Sequence, residues 1–273
     1  MPPTDAESDE VAIALRLESH ASAKTCQQTV GATWSLLSGD QPTRAQMENN
    51  AGRRSLMVGK LDEAQLSFCR ATVLDPTNTA SFRSLAELLL LLRDAKQARQ
   101  WAERAVKQTP EDQHVQSLYG DTLARVGEVD AARTVWLNAV GVDPDDRATI
   151  RKLSLTYAAT GRQYIKGADY PRGDRFFRRA ALLDTSNATA AAGMGQALLM
   201  QKEVSAALAW SKRAVALEPR DTELRILLGD AYAKSEQLDA AYKEWLIAVA
   251  LDPGNARAHA RYNRIPPEKR PEQ

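Results

Sequence analysis

The stretch "LLGDAYAKSEQLDAAYKEWLIAVALDP", residues 227–253, decides how the chain is read. Gly229, Tyr232, Ala241, Trp245, Ala248 and Pro253 stand at offsets that recur upstream. Thirty-four residues earlier stand Gly195, Leu198, Ala207, Ser211, Ala214 and Pro219. The stretch ending at Pro144 has Gly120, Leu123, Ala132, Trp136 and Ala139, and the one ending at Pro110 has Ala86, Leu89, Ala98, Ala102 and Ala105. The one ending at Pro76 has Gly52, Ser55, Ala64, Phe68 and Ala71. Pro42, Pro76, Pro110 and Pro144 are spaced by 34 residues, as are Pro219 and Pro253. Proline fills about 5% of positions in average proteins, so chance does not produce this series. A fixed period between about 20 and 50 residues marks a solenoid.

Residues 222–255 show what one unit is. In its first half Leu224, Leu228 and Tyr232 fall at helical spacing, with Leu227 beside Leu224. In its second half Leu238, Ala241, Trp245, Ala248 and Val249 do the same, and the polar "SEQ" joins the halves. Each unit therefore reads as two antiparallel helices, A and B. Counting from Thr222 as position 1, the small residues at positions 8, 20 and 27 let the two backbones approach, and the larger residue at 24 fills the space beyond. Glycine inside a helix costs about 1 kcal/mol against alanine, so its return at position 8 points to a packing need. Proline at 32 lies past the end of helix B, which it cannot continue. Position 34 reads Asn78, Asp112, Asp146, Asn187, Asp221 and Asn255. These side chains are good helix caps, so each unit ends by starting the next helix A. Asn255 predicts a polar closing helix over 256–264, of the kind that keeps an open array soluble.

This pattern resembles the tetratricopeptide repeat: small at 8, aromatic or Leu at 11, Ala at 20, aromatic at 24, Ala at 27, Pro at 32. The resemblance implies an all-α, right-handed superhelical solenoid of six helix pairs with N-terminal helices and a C-terminal capping helix. The units are 45–78, 79–112, 113–146, 147–187, 188–221 and 222–255. Residues 9–44 read as N-terminal helices, a degenerate repeat or a cap. Residues 1–8 and the tail 265–273 read as disordered. In two units the aromatic is displaced by one place, with Trp101 before Ala102 and Trp210 before Ser211. Both tryptophans are expected to pack rather than to bind.

From Pro144 to its next equivalent, Thr185, is 41 residues, seven more than the period. Two registers fit. One places Leu153, Ser154, Tyr157 and Gly161 at positions 7, 8, 11 and 15; the other places Gly161, Tyr164, Gly173, Phe177 and Ala180 at 8, 11, 20, 24 and 27. Seven residues are almost two turns of a 3.6-residue helix, so the helical phase survives either way. Helix A is expected to run over about residues 147–167, with its far end and "ADYPRG" protruding from the array. Residues 147–187 hold nine Lys or Arg and three Asp, a net charge of +6. Arg162, Lys166 and Arg172 on the expected protrusion are candidates for binding an acidic partner.

Composition excludes several classes. The chain has 273 residues and a formal net charge of +1, so no global field draws it to nucleic acid or to a membrane. No apolar run approaches the ~18 residues of a membrane span. The start, "MPPTDAESDE", is acidic and has no signal-like apolar core, so with Met1 as the first residue a cytoplasmic location is expected. Cys26 and Cys69 form no CxxC, imply neither a disulfide framework nor a zinc site, and read as small buried apolar residues. There is no phosphate loop, no HExxH and no nucleophile elbow, and the three histidines fall in different units. The chain reads as a non-enzyme without a cofactor.

In proteins with this repeat the A helices line a groove that holds a peptide or a partner helix. The resemblance places Asn49, Arg53, Arg83, Glu87, Ser117, Asp121, Arg125 and Arg151 at groove positions. Met57, Leu90, Leu91, His114, Gln196, Met200, Asp230 and Lys234 line the same face. A mixture of apolar residues and both charges suits a peptide with apolar anchors. Relatives that clamp acidic chaperone tails need lysines and asparagines where this chain has Asn49, Arg53, Ser84, His114 and Leu118, so that activity is not expected. The function implied is a protein-binding scaffold or adaptor, with a bacterial secretion, pilus or motility assembly factor as the narrower alternative. Nucleic-acid binding is disfavoured by the charge and by the few aromatics in the groove.

Overall fold

The computed structural model describes Cys26 and residues 41–264, so the expectations for residues 1–8, the remainder of 9–40 and 265–273 lie outside the described residues. The first helices are α1 (Gln41–Met57), α2 (Leu61–Leu74), α3 (Thr79–Leu91), α4 (Ala95–Gln108), α5 (Gln113–Arg125) and α6 (Val129–Val142). They are followed by α7 (Arg147–Lys166), α8 (Tyr170–Leu183), α9 (Ala188–Met200), α10 (Val204–Leu217), α11 (Thr222–Lys234), α12 (Leu238–Leu251) and α13 (Ala256–Tyr262). Odd-numbered helices up to α11 are A helices, even-numbered ones are B helices, and the fold is an all-α solenoid of helix pairs. The chain forms two compact units, one ending at Asp145 and the other beginning at Asp146.

Local chemistry sets the joints. The side chains of Asn78, Asp112, Asp146, Asn187, Asp221 and Asn255 each accept a backbone N–H from the first turn of the helix they precede. At Asp146 burial pushes the carboxyl up, but hydrogen bonds from Thr149 and Ala148 and the charge of Lys152 outweigh it and hold the group below its ordinary value. Upstream of the cap, Asp75, Asp143, Asp184 and Asp252 each accept the N–H two residues on, which folds the chain out of helix B.

The turn from A to B carries a feature without a residue signature. Gly59, Arg93, Gly127, Ala168, Lys202 and Glu236 all have positive φ, between 60° and 93°. Each donates its N–H to the carbonyl three residues back, and the next residue donates to the carbonyl five back, as in Lys202 to Leu199 and Glu203 to Leu198. Four of these six residues are not glycine, so the turn geometry, not the residue type, is what repeats.

Pair packing centres on position 8. A Cβ placed on Gly52, Gly120, Gly161 or Gly229 would stand 2.3–3.0 Å from the ring of Phe68, Trp136, Phe177 or Trp245 respectively. Glycine is needed there because the ring at position 24 of helix B lies directly on the backbone of helix A. Phe177 is wedged further, since a Cβ on Gly193 of α9 would also come within 2.1 Å of it. In the two units with a displaced aromatic, Ala102 and Ser211 are fully buried at position 24. There Trp101 packs on Phe82 at 5.6 Å between centroids, and Trp210 packs partly buried against the Ala188–Leu228 cluster.

Two expectations are corrected. The Gly161–Phe177 contact and the positive φ of Ala168 align α7 with its siblings from residue 154 onward. Relative to α8 and α9 the surplus two turns therefore sit at the start of α7, and the "ADYPRG" loop is the regular A–B turn of its pair rather than a protrusion. One side of the surplus is buried, with Thr149 and Leu153 at no exposure, and just after it the fully buried Ser154 Oγ donates to Ala180 O at 2.8 Å while accepting from Asn187 Nδ2 at 2.7 Å. Secondly, Cys26 and Cys69 are buried but form a disulfide, with 5.0 Å between their Cα atoms. They lie 43 residues apart in the chain, so no local spacing signalled the pairing.

Gly120→Ala should lower stability by about 1–3 kcal/mol through overpacking against Trp136. Gly141→Ala in the partner helix α6, where a Cβ meets open space, should raise it by up to about 1 kcal/mol; urea denaturation of the two variants checks the contrast. Lys202→Gly should add about 0.5–1 kcal/mol by relieving the left-handed backbone, read as a rise in the melting midpoint.

Candidate partner-binding faces

Within each unit consecutive A helices touch: α1 with α3, α3 with α5, α7 with α9, α9 with α11 and α11 with α13. Consecutive B helices make no comparable contact. A stack whose A helices converge while its B helices splay is concave on the A side, so residues at the same position of neighbouring A helices form rows across that face.

In the first unit the row at position 13 is Met57, Leu91 and Arg125, and the row at position 9 is Arg53, Glu87 and Asp121. Met57 is 86% exposed and Leu91 44% exposed, so this row offers apolar surface. Arg53, Glu87 and Arg125 are exposed, and Arg83 pairs with Glu87 at 3.7 Å. Asp121 is half-buried: Trp136 Nε1 donates to its Oδ1 at 3.2 Å and to Ser117 O at 3.0 Å.

Asn49 and Ser117 are buried, at 1% and 8% exposure, so they are not open groove residues. Position 5 lies at the seam where consecutive A helices meet. The equivalent Ile226 is fully buried and clusters with Ala258 of α13. A short side chain at the seam is covered, and only a long one such as Arg83 reaches out.

The second unit divides the other candidates. Arg151, Arg162 and Lys166 are exposed on α7, where Arg162 and Lys166 occupy positions 9 and 13 beside Gln196 and Met200 of α9 and Asp230 and Lys234 of α11. Leu155, at position 2, joins this face and is 48% exposed. It escaped the sequence reading because the two registers of the long unit could not be separated without the Gly161–Phe177 contact. Arg172 lies elsewhere, on α8, where it pairs with Asp169 at 3.3 Å and covers the ring of Tyr164. Asp230 accepts from Arg261 Nε at 2.7 Å, and this hydrogen bond raises the guanidinium further above its ordinary value against the opposing effect of burial. Among the described residues no group of three or more His, Cys, Asp or Glu could hold a metal ion, and no helix is long and apolar enough to cross a membrane.

Residues 50–113 match the family model of the tetratricopeptide repeat. In an alignment of 205 positions that covers 65% of it, the chain is 22% identical to anaphase-promoting complex subunit 3 of Schizosaccharomyces pombe, of which it spans 31%. The C-terminal part of a TPR repeat-containing protein from Cytophaga hutchinsonii superposes with a TM-score of 0.60 at 16% identity, over 80% of this chain and 87% of that one. PilF of Pseudomonas aeruginosa superposes with a TM-score of 0.55 at 16% identity, over 82% and 99%. YrrB, described as a TPR protein with an unusual peptide-binding site, gives 0.54 at 16% identity, over 72% and 99%. At these identities the solved structures are likenesses of fold alone.

Proposed function

We propose that the chain, whose residues 50–113 match the tetratricopeptide repeat, is a non-enzymatic docking scaffold that holds a peptide or helix of another protein against its A helices. The observation that carries the reading is the exposed row of the first unit. Met57 and Leu91 stand side by side in solvent, flanked by Arg53, Glu87 and Arg125. Apolar anchors set among charges are what a peptide with apolar side chains and scattered charges needs, and none of these residues is required by the pair packing. The likenesses to a subunit of a multiprotein complex and to a peptide-binding repeat protein are consistent with such a role. The narrower role of a bacterial secretion, pilus or motility assembly factor has only the PilF fold likeness behind it.

The disulfide bears on the compartment. Such bonds persist in oxidising surroundings and are rare in a reducing cytosol, so the Cys26–Cys69 bond supports an oxidising compartment in place of the cytoplasm.

Two measurements test these readings. Arg83→Glu combined with Arg125→Glu should lose most of the proteins that the wild type captures, while leaving the helical circular-dichroism spectrum unchanged. Equal capture would remove the first unit's face as the site. Alkylation of thiols trapped in intact cells should leave Cys26 and Cys69 unmodified until a reductant is added; two alkylated thiols would return the protein to the cytoplasm.

A further inference from the structure

Among the described residues, the A face of the second unit carries free positive charge and no free negative charge. On α7, Arg151, Leu155, Arg162 and Lys166 lie within about 60° of one line at 3.6 residues per turn, and all four are exposed. Residues 147–168 contain no Asp or Glu, and the neighbouring α9 contains no charged residue at all. The acids that the A helices of this unit do carry are Glu223 and Asp230 of α11. Both are already committed within the chain: Glu223 to Arg257 and Asn255, Asp230 to Arg261. Arg151, Arg162, Lys166 and Lys234 make no ion pair among the described residues.

Apolar surface accompanies the charge. Leu155 is 48% exposed and Met200 is 52% exposed. They stand at positions 2 and 13 of adjacent helices, diagonally opposed and about 16 Å apart along the helix direction at 1.5 Å per residue. Between them α9 presents the exposed, uncharged Gln196. Single-stranded nucleic acid binds by stacking its bases on aromatic rings, and none of the exposed residues of α7, α9 and α11 is aromatic.

We infer that this face docks an acidic protein segment whose apolar side chains sit on Leu155 and Met200 and whose carboxylates meet Arg151, Arg162, Lys166 and Lys234. The inference deepens the scaffold reading and rests on it, but it concerns a different face, so the two can fail separately. In this picture the intramolecular pairs of Glu223 and Asp230 are part of the device. By neutralising the face's own acids with Arg257 and Arg261, the closing helix α13 leaves the field of α7 uncompensated.

The test uses the full chain and a labelled peptide of about four helical turns, glutamates with leucine at every fourth position, followed by fluorescence anisotropy at low and high salt. The wild type should bind, and salt should weaken binding steeply. Arg162→Glu with Lys166→Glu should weaken it at least about tenfold, as expected when opposite charges become like charges, whereas Arg175→Glu with Lys243→Glu, exposed on the B helices α8 and α12, should leave it unchanged. The inference is overturned if the α7 reversal binds as well as the wild type, or if a peptide with Gln in place of every Glu does. A peptide with Ser in place of Leu that binds equally would reduce the face to a bare cation patch and overturn it too, as would displacement by an RNA oligonucleotide at lower concentration. Removal of residues 1–10 that tightens binding by about tenfold or more would make the chain's own acidic start the occupant and overturn assignment to a partner. Loss of protein capture by the first-unit variant, together with no binding of the acidic peptide, would leave the scaffold reading standing and end this one.

Discussion

The array depends on one close approach. At position 24 of helix B an aromatic ring lies against the backbone of helix A at position 8, so closely that a methyl group there would overlap Phe68, Trp136 or Trp245. Burying such a ring removes on the order of 1.5–3 kcal/mol of apolar surface energy from water, which outweighs the ~1 kcal/mol that a mid-helix glycine costs. A hairpin of two short helices cannot bury both its sides alone, so the next pair covers what the ring leaves open. Phe177, held between Gly161 of its own pair and Gly193 of the following helix, shows the two contacts made by one side chain.

The same geometry explains how the fold tolerates irregularity. Where Ala102 or Ser211 replaces the ring, the tryptophan one place earlier fills the neighbouring space, and the pair still closes. Where seven residues are added, the surplus is taken up as nearly two turns of helix, so side chains after it return to their former faces. Arg162 and Lys166 thus stand in the rows of Gln196, Met200, Asp230 and Lys234 in spite of the insertion. The added turns are held by Ser154, which links the end of α8 to the cap of α9 through two buried hydrogen bonds.

The aspartate at position 9 illustrates how repeats diverge without leaving the pattern. Asp121 accepts the indole N–H of Trp136 in its own pair. Asp230 turns instead to Arg261 of the closing helix, and Trp245 Nε1 has no hydrogen-bond partner among the described residues. The last pair thus exchanges an indole hydrogen bond for a charge link to α13. That exchange also removes a negative charge from the second unit's A face, whereas the first unit keeps Glu87 exposed beside its arginines.

What the residue order determined by itself is whatever depends on neighbours a few places apart. The helix pairs followed from apolar spacing, the joints from Asn or Asp at position 34 and proline at 32, and the solenoid from the repetition of all three. A cap or a helical face is settled within about one turn, so a local pattern suffices. The tertiary structure alone decided what depends on atoms distant in the chain. It joined Cys26 to Cys69, chose between two registers of the long unit by seating Phe177 on Gly161, and buried Asn49 and Ser117 at a seam where Arg83 escapes. It also decided which charges are free, because an ion pair such as Asp230–Arg261 spans 31 residues and leaves no trace in local spacing.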